Sequence, residues 1–519
     1  MLSRVNSLGL RGVEGFPVVV ELDLAGGLPA FTTVGLPDHV VKESRERVSA
    51  AVRNSGFKFP SRRITVNLAP ARPRKEGSHY DLPIALALLA ASGQTSGGGW
   101  ERWCFVGELS LDGRVRPVPG VLAMAERARA EGFTTLVVPV ENAAEAASSG
   151  LITLPVGDLR EAAALAGGAA ARPRACAAPE DVEPALDGLD LSDVRGQEHA
   201  KHALEIAAAG GHNLLLIGPP GTGKSMLARR LPGLLPPLDE AEAIEVTKVQ
   251  SAIAPLSAIG RPPSGGLIRV RPFRAPHHAC SAAALVGGGP SARPGEISLA
   301  HGGVLFLDEL AEFPRPALEA LRQPLEERRV RVARAKDSLE YPARFILAAA
   351  TNPCPCGYLG HPQKSCTCSA HVVRRYLGRL SGPLLDRVDL QVEVGPVEFG
   401  DWASSADAGS KTSAAVRERV VAARARQAGR WGKGPAALNG LVEPGVLRRR
   451  ADASPEAFAA LEAAQSVAAL SARALDRVLR VARTIADLEG RERVEQPHIV
   501  VAARFRGLDT IRAYLRDKR

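Results

Sequence analysis

The chain has 519 residues, 45% hydrophobic and only 4% aromatic, with 66 Lys plus Arg against 56 Asp plus Glu and a formal charge of +10. That length exceeds one core and predicts two to four domains; no apolar run approaches the ~18 residues of a membrane span, and so few aromatics disfavour base stacking as a main mode of nucleic-acid binding. The basic balance suits a polyanionic partner and equally suits arginine-rich helix faces in water.

The apolar stretch 16–20 is broken at once by Glu21 and Asp23, unlike a signal peptide, so the chain is expected in the cytosol. Residues 1–168 alternate strand patterns (18–24, 63–67) with helical runs near 39–54 and 81–92, an α/β unit. An Ala/Gly/Pro-rich and then acidic stretch follows, without amphipathic period, and reads as a linker over 169–190.

From 191 the order is helix, apolar strand 213–217, and the run Gly218, Pro219, Pro220, Gly221, Thr222, Gly223, Lys224, Ser225, opening a long helix. A glycine-rich turn between strand and helix aims backbone N–H groups and a helix dipole at one point, and so cradles the polyphosphate of ATP or GTP. Lys224 reaches the β/γ-phosphates in this spacing, and the Ser225 hydroxyl takes a place on Mg²⁺. The Gly/Pro/Arg-rich stretch 255–296 reads as irregular.

The strand 304–309 ends in two carboxylates, where a parallel sheet delivers its ligands. Asp308 is placed for Mg²⁺ and Glu309 to orient and deprotonate water, a pairing that specifies hydrolysis. After a hairpin at 328–343, Asn352 closes the next strand, either beside that water or as a plain turn residue. Strands this continuously apolar belong to a parallel sheet covered on both faces.

Cys354, Cys356, Cys366 and Cys368 form two C-x-C pairs nine residues apart. Four such thiolates can close a tetrahedral Zn²⁺ site, with His361 and His371 as substitute ligands, or stand as reduced thiols in a loop. Arg387, at a helix end leading to a strand, is placed either to steady charge on a neighbouring subunit's phosphate or to pair with Asp386 or Asp389. Beyond about 400 the pattern is helical, at 413–427, 455–468 and 471–489.

In that order the P-loop, the Asp-Glu strand, the Asn-terminated strand, the segment 381–390 and the helical tail resemble an AAA+ ATPase. The segments 271–278, 284–289, 294–298 and 351–357 narrow the likeness to magnesium-chelatase-like AAA+ ATPases of the YifB/ComM family, over nearly the whole chain. The resemblance implies an α/β multidomain protein. Its parts would be a Lon-protease-like (ribosomal S5 domain 2-like) domain at 1–168, an AAA+ core at 191–398 with helix-2 and pre-sensor-1 insertions, and a helical lid at 399–519.

It further implies a hexameric ring that hydrolyses ATP with Mg²⁺ at subunit interfaces and, in the ComM branch, a helicase driving DNA branch migration in recombination of incoming DNA. Asn352 would then be sensor 1, Arg387 an arginine finger given in trans, and Arg473 sensor 2, with Arg477 one helical turn away as its rival. In such helicases the insertions line a pore. Arg271, Arg274, Arg331, Arg334 and Lys336 are the expected DNA contacts, gripping phosphates without reading sequence.

In the N-terminal unit, His79 falls where Lon has its serine and Met124 where Lon has its lysine, so no peptidase is expected, although Ser78 offers a hydroxyl one position away. A metal-insertion motor and a protein-remodelling ATPase are the competing functions. The Lon-like unit and the C-x-C pairs argue against the first, and basic insertions with only Phe273 as aromatic argue against the second.

Overall fold

The computed structural model describes residues 1–95, 99–166, 188–259, 266–289, 292–334, 337–400, 412–432, 434, 437–468 and 470–506. Residues 167–187, most of the expected linker, lie outside them. The chain divides into two compact units, one from Met1–Glu183 with Ala243–Ile268, the other from Pro184–Glu242 with Arg269–Arg519. Among the described residues no helix is long and apolar enough to cross a membrane.

In the first unit, Leu2–Arg11 and Glu14–Ala25 form an antiparallel hairpin. Its two-residue turn has Gly12 at φ +65°, a conformation glycine adopts without strain. Val18, Val20, Leu22 and Leu24 are buried at the strand period of two. Glu14–Ala25 pairs on its other side with Arg63–Ala69, which carries Ala30–Val34 in parallel. A second, parallel sheet joins Trp103–Phe105, Thr135–Pro139 and Ile152–Val156. Helix Asp81–Ala91 is apolar all round, which favours burial on every side, and all but one of its residues are buried.

Residues 243–268, which the sequence pattern assigns to the ATPase core, belong to this first unit. The polar groups that bind them in are not visible as periodicity: Ser251 accepts from Gly120 N through both its carbonyl and its hydroxyl, and its hydroxyl also meets buried Glu145.

The second unit is built on a five-stranded parallel sheet in the order Phe273–Arg274, Val304–Leu307, Ile346–Thr351, Leu214–Ile217, Leu390–Glu393. Its three central strands are buried throughout, as helices on both faces require. The edge strand Phe273–Arg274 lies inside the stretch expected to be irregular, because two residues are too few to show a period. Helix Ala472–Leu488 lays Val478, Leu479, Val481, Ala482, Ile485 and Ala486 into the same core as Leu204, Leu216 and Leu227. The helices beyond 400 therefore share one hydrophobic core with the sheet instead of forming their own.

Candidate nucleotide-binding site

Because the sheet is parallel, the ends of its three central strands open on one edge. That edge receives the 218–225 loop, Asp308 with Glu309, and Asn352. Gly218 lies so close to the chain that a Cβ would sit 2.1 Å from Val394 O, whereas at Gly221 (φ +79°) and Gly223 (φ +86°) a Cβ would meet nothing within 4 Å. These two glycines leave the loop's concave side free for phosphate oxygens, and Thr222 Oγ1 braces the turn on Pro219 O at 3.0 Å.

Lys224 Nζ donates to Gly218 O and Pro219 O, both at 2.7 Å, and reaches Asn352 Oδ1 at 3.3 Å. Burial lowers its pKa, opposed in part by Asp308 and Glu309. The buried ammonium is thus held on acceptors that a phosphate can replace. Ser225 Oγ donates to Asp308 Oδ2 at 2.7 Å, and Glu309 N donates to Asp308 Oδ1 at 2.9 Å. A hydroxyl beside a carboxylate is a donor set that suits Mg²⁺, which keeps waters and takes few protein oxygens.

Glu309 sits at φ +52°, a left-handed conformation that costs a non-glycine residue about 1 kcal/mol. The turn projects a half-exposed carboxylate whose Oε2 lies 3.0 Å from His278 Nδ1. Sequence reasoning used His278 only as the end of the family-like segment 271–278 and gave it no chemical role.

The arginines lie at the opposite end of the sheet. Asn213, which precedes the P-loop strand, donates from Nδ2 to Arg387 O at 2.8 Å, accepts at Oδ1 from Leu347 N, and accepts at its carbonyl from Asp389 N and Leu390 N. Five steps of extended chain separate Asn213 from Gly218, about 16 Å. Arg387, Arg473, Arg477 and Arg480 line one cavity of about 330 Å³, to which none of residues 218–225 contributes. Arg387 is largely buried, donating to Pro383 O at 2.5 Å and pairing with Glu326.

Arg477 Nη1 meets Asp389 Oδ1 at 2.6 Å. Burial opposes ionisation of Asp389, but Arg477 and His212 outweigh it and hold the carboxyl well below its ordinary range. Arg473 is exposed. The structure brings Arg387, Arg473 and Arg477 together and sets all three away from this chain's own phosphate loop.

Three models cover the chain: magnesium chelatase, subunit ChlI, over 190–402; subunit ChlI of Mg-chelatase over 20–142; and the ChlI C-terminal model over 410–506. YifB of Salmonella typhimurium is 44% identical over 99% of both chains. Competence protein ComM of Haemophilus influenzae is 44% identical over 98% of both. The chain belongs to the magnesium-chelatase-like YifB/ComM family. Membership implies ATPase activity and the use of nucleotide and Mg²⁺. Lon protease 2 of Bacillus subtilis is 29% identical over 30% of the chain, a likeness in keeping with the mixed α/β structure. The match over 20–142 bears a chelatase subunit's name, so the N-terminal unit no longer separates this family member from the chelatase motor.

The sulfurs of Cys354, Cys356, Cys366 and Cys368 all lie within 4.8 Å of one another. Burial pushes the Cys354 thiol up to about 12, whereas the N–H groups of Tyr358 and Thr367 bring Cys356 down to about 5. His361 Nδ1 accepts from Gln363 N and Lys364 N, and neither His361 nor His371 belongs to the four-sulfur group.

The expected DNA contacts fare unevenly. The Arg271 side chain is buried, pairs with Glu242 at 2.9 Å, and donates to Pro236 O and Gly302 O, contacts that brace the fold. Arg274 is held by both oxygens of Glu296. Arg331 is exposed on the antiparallel hairpin Arg329–Arg334 with Asp337–Pro342, and shares Glu340 with Arg329. The side chain of Arg334 and all of Lys336 lie outside the described residues.

In the N-terminal unit the Lon positions are sealed. His79 and Met124 are buried, Ser78 Oγ bonds Glu108, and the Lys75 ammonium is capped by Pro70 O.

Proposed function

We propose that the chain is an ATP-hydrolysing ring motor, most simply a hexamer, that acts as a helicase on branched DNA during recombination of incoming DNA. The observation that carries this reading is the separation within one sheet: the hydrolytic groups gather at one end, while Arg387 lies at the other. An arginine at the sheet end opposite its own phosphate loop is of use to a second copy, and head-to-tail contacts whose rotation closes make rings.

In the mechanism Lys224 exchanges its two carbonyl acceptors for the β/γ-phosphates, Ser225 and Asp308 would hold Mg²⁺, and Asn352 and Glu309 hold the attacking water. Glu309 takes the proton, and the neighbour's Arg387 faces the charge that builds on the transferred group, with Arg473 and Arg477 alongside. When bound, Mg²⁺ would neutralise charge on the phosphate oxygens. A structural zinc ion on Cys354, Cys356, Cys366 and Cys368 belongs to the same reading.

DNA as the partner is supported by a full-length relative named a competence protein, by the net charge of +10, and by exposed Arg331 on its hairpin. The direct test is ATP hydrolysis and strand displacement on forked and four-way DNA beside Lys224→Ala. DNA-stimulated hydrolysis with displacement, lost in the variant, is expected; hydrolysis indifferent to DNA would refute the reading. The chelatase matches over 20–142, 190–402 and 410–506 favour a second one, a metal-insertion motor, which predicts stimulation by a porphyrin-binding partner instead of DNA.

A further inference from the structure

The four-cysteine loop adjoins the phosphate loop. Cys354 is two residues past Asn352, whose Oδ1 accepts from Lys224 Nζ. Gly357, at φ +83°, lies against the ring of Pro220, where an added Cβ would be 2.5 Å from Pro220 Cδ. Pro353, Cys354 and Gly357 are buried, although no helix or strand spans 352–369 to hold them there. Its backbone bonds are few, among them Gly357 N to Cys354 O and His361 N to Tyr358 O. Ordering so irregular a segment costs backbone entropy that a cross-link would offset.

The sulfurs supply the place for one. Cys354 lies 3.4 Å from Cys356 and 3.6 Å from Cys366, and Cys356 lies 3.6 Å from Cys366. Thiolates at about 2.3 Å from one tetrahedral zinc stand about 3.8 Å apart. Four within 4.8 Å therefore match a single ion, and a cluster of several irons would hold them farther apart. With four cysteines present, no coordination position is left for substrate, which makes the site structural.

We infer that these cysteines bind one Zn²⁺ and that the closed loop presses Gly357 against Pro220, so that metal loading sets how tightly the phosphate loop holds nucleotide. This rests on the ATP-binding reading above. The zinc acts at a distance through the loop and touches no reacting atom.

The test uses the full-length chain. Elemental analysis should find about one zinc per chain, lost in Cys366→Ser/Cys368→Ser, and Co²⁺ replacement should give the intense visible bands of tetrahedral thiolate coordination. A fluorescent ATP analogue titrated into zinc-loaded, chelator-stripped and reloaded protein should show affinity falling at least about tenfold on stripping and returning on reloading. Gly357→Val, which keeps the thiols but cannot seat against Pro220, should retain its zinc and still bind nucleotide weakly. This variant keeps the proposal open to refutation if the cysteine variants fail to fold.

Absence of bound metal, or unchanged nucleotide affinity after stripping, would overturn the inference. If the zinc-loaded wild type bound no nucleotide at all, the ATP reading would fall and the coupling with it, whereas the zinc count would stand by itself.

Discussion

The two compact units treat similar side chains in opposite ways. In the N-terminal unit Lys75 is capped by a carbonyl, Ser78 is tied to Glu108, and buried His79 leaves Nε2 without a partner. In the ATPase unit Lys224, Ser225, Asp308, Glu309 and Asn352 meet at one sheet edge, on contacts a ligand can take over. A lysine and a serine occur in both units. Chemistry requires their convergence on an open face, which the described residues of the second unit provide.

The sharpest contrast comes from removing the reactive groups of each unit. Lys224→Ala and Glu309→Gln should each lower ATP hydrolysis by about 10²–10⁴-fold. Ser78→Ala should leave hydrolysis intact and abolish nothing in a fluorogenic peptide assay, because the parent chain should show no cleavage. Peptide cleavage lost in Ser78→Ala would erase the distinction between the units.

Arg387→Ala should reduce hydrolysis by about 10³-fold while nucleotide affinity, read with a fluorescent analogue, changes little. Arg387 is set away from its own phosphate loop, so a large affinity loss in isolated monomers would contradict its placement.

The N-terminal unit should carry the pH signature of its sealed histidine. Burial lowers the His79 pKa to about 3, so between about pH 6.5 and 3 the unfolded chain binds a proton that the folded one refuses. Stability then drops as pH falls across that window, by about 1.4 kcal/mol per unit. Thermal unfolding of His79→Leu should show a shallower slope over it, and an unchanged slope would count against a neutral buried imidazole.

The smallest effects separate two arginines. Arg331→Ala should reduce the salt slope of DNA binding by about one and spare stability. Arg271→Ala should lower the melting temperature, since Glu242, Pro236 O and Gly302 O lose their partner. Salt titrations and melting curves on both variants check the division.

Much of the ATP site is legible in the amino-acid sequence because each of its parts ends a strand long enough to show continuous apolarity: 214–217 before the loop, 304–307 before Asp308, 346–351 before Asn352. What escapes has no period to display. Phe273–Arg274 is too short, and His278 acquires meaning only when the sheet brings it to Glu309. Residues 243–268 join the first unit through single polar contacts such as those of Ser251. Arg271 has the composition of a DNA contact and the surroundings of a brace, a difference that only tertiary neighbours decide.

The claim on which the account turns is that a hydrolytic site is completed by another copy's arginine. Lys224→Ala and Arg387→Ala proteins, each inactive alone, should regain ATP hydrolysis when mixed, because the intact phosphate loop of one meets the intact Arg387 of the other. A mixture as inactive as its components, under conditions where the wild type assembles and hydrolyses ATP, would contradict it.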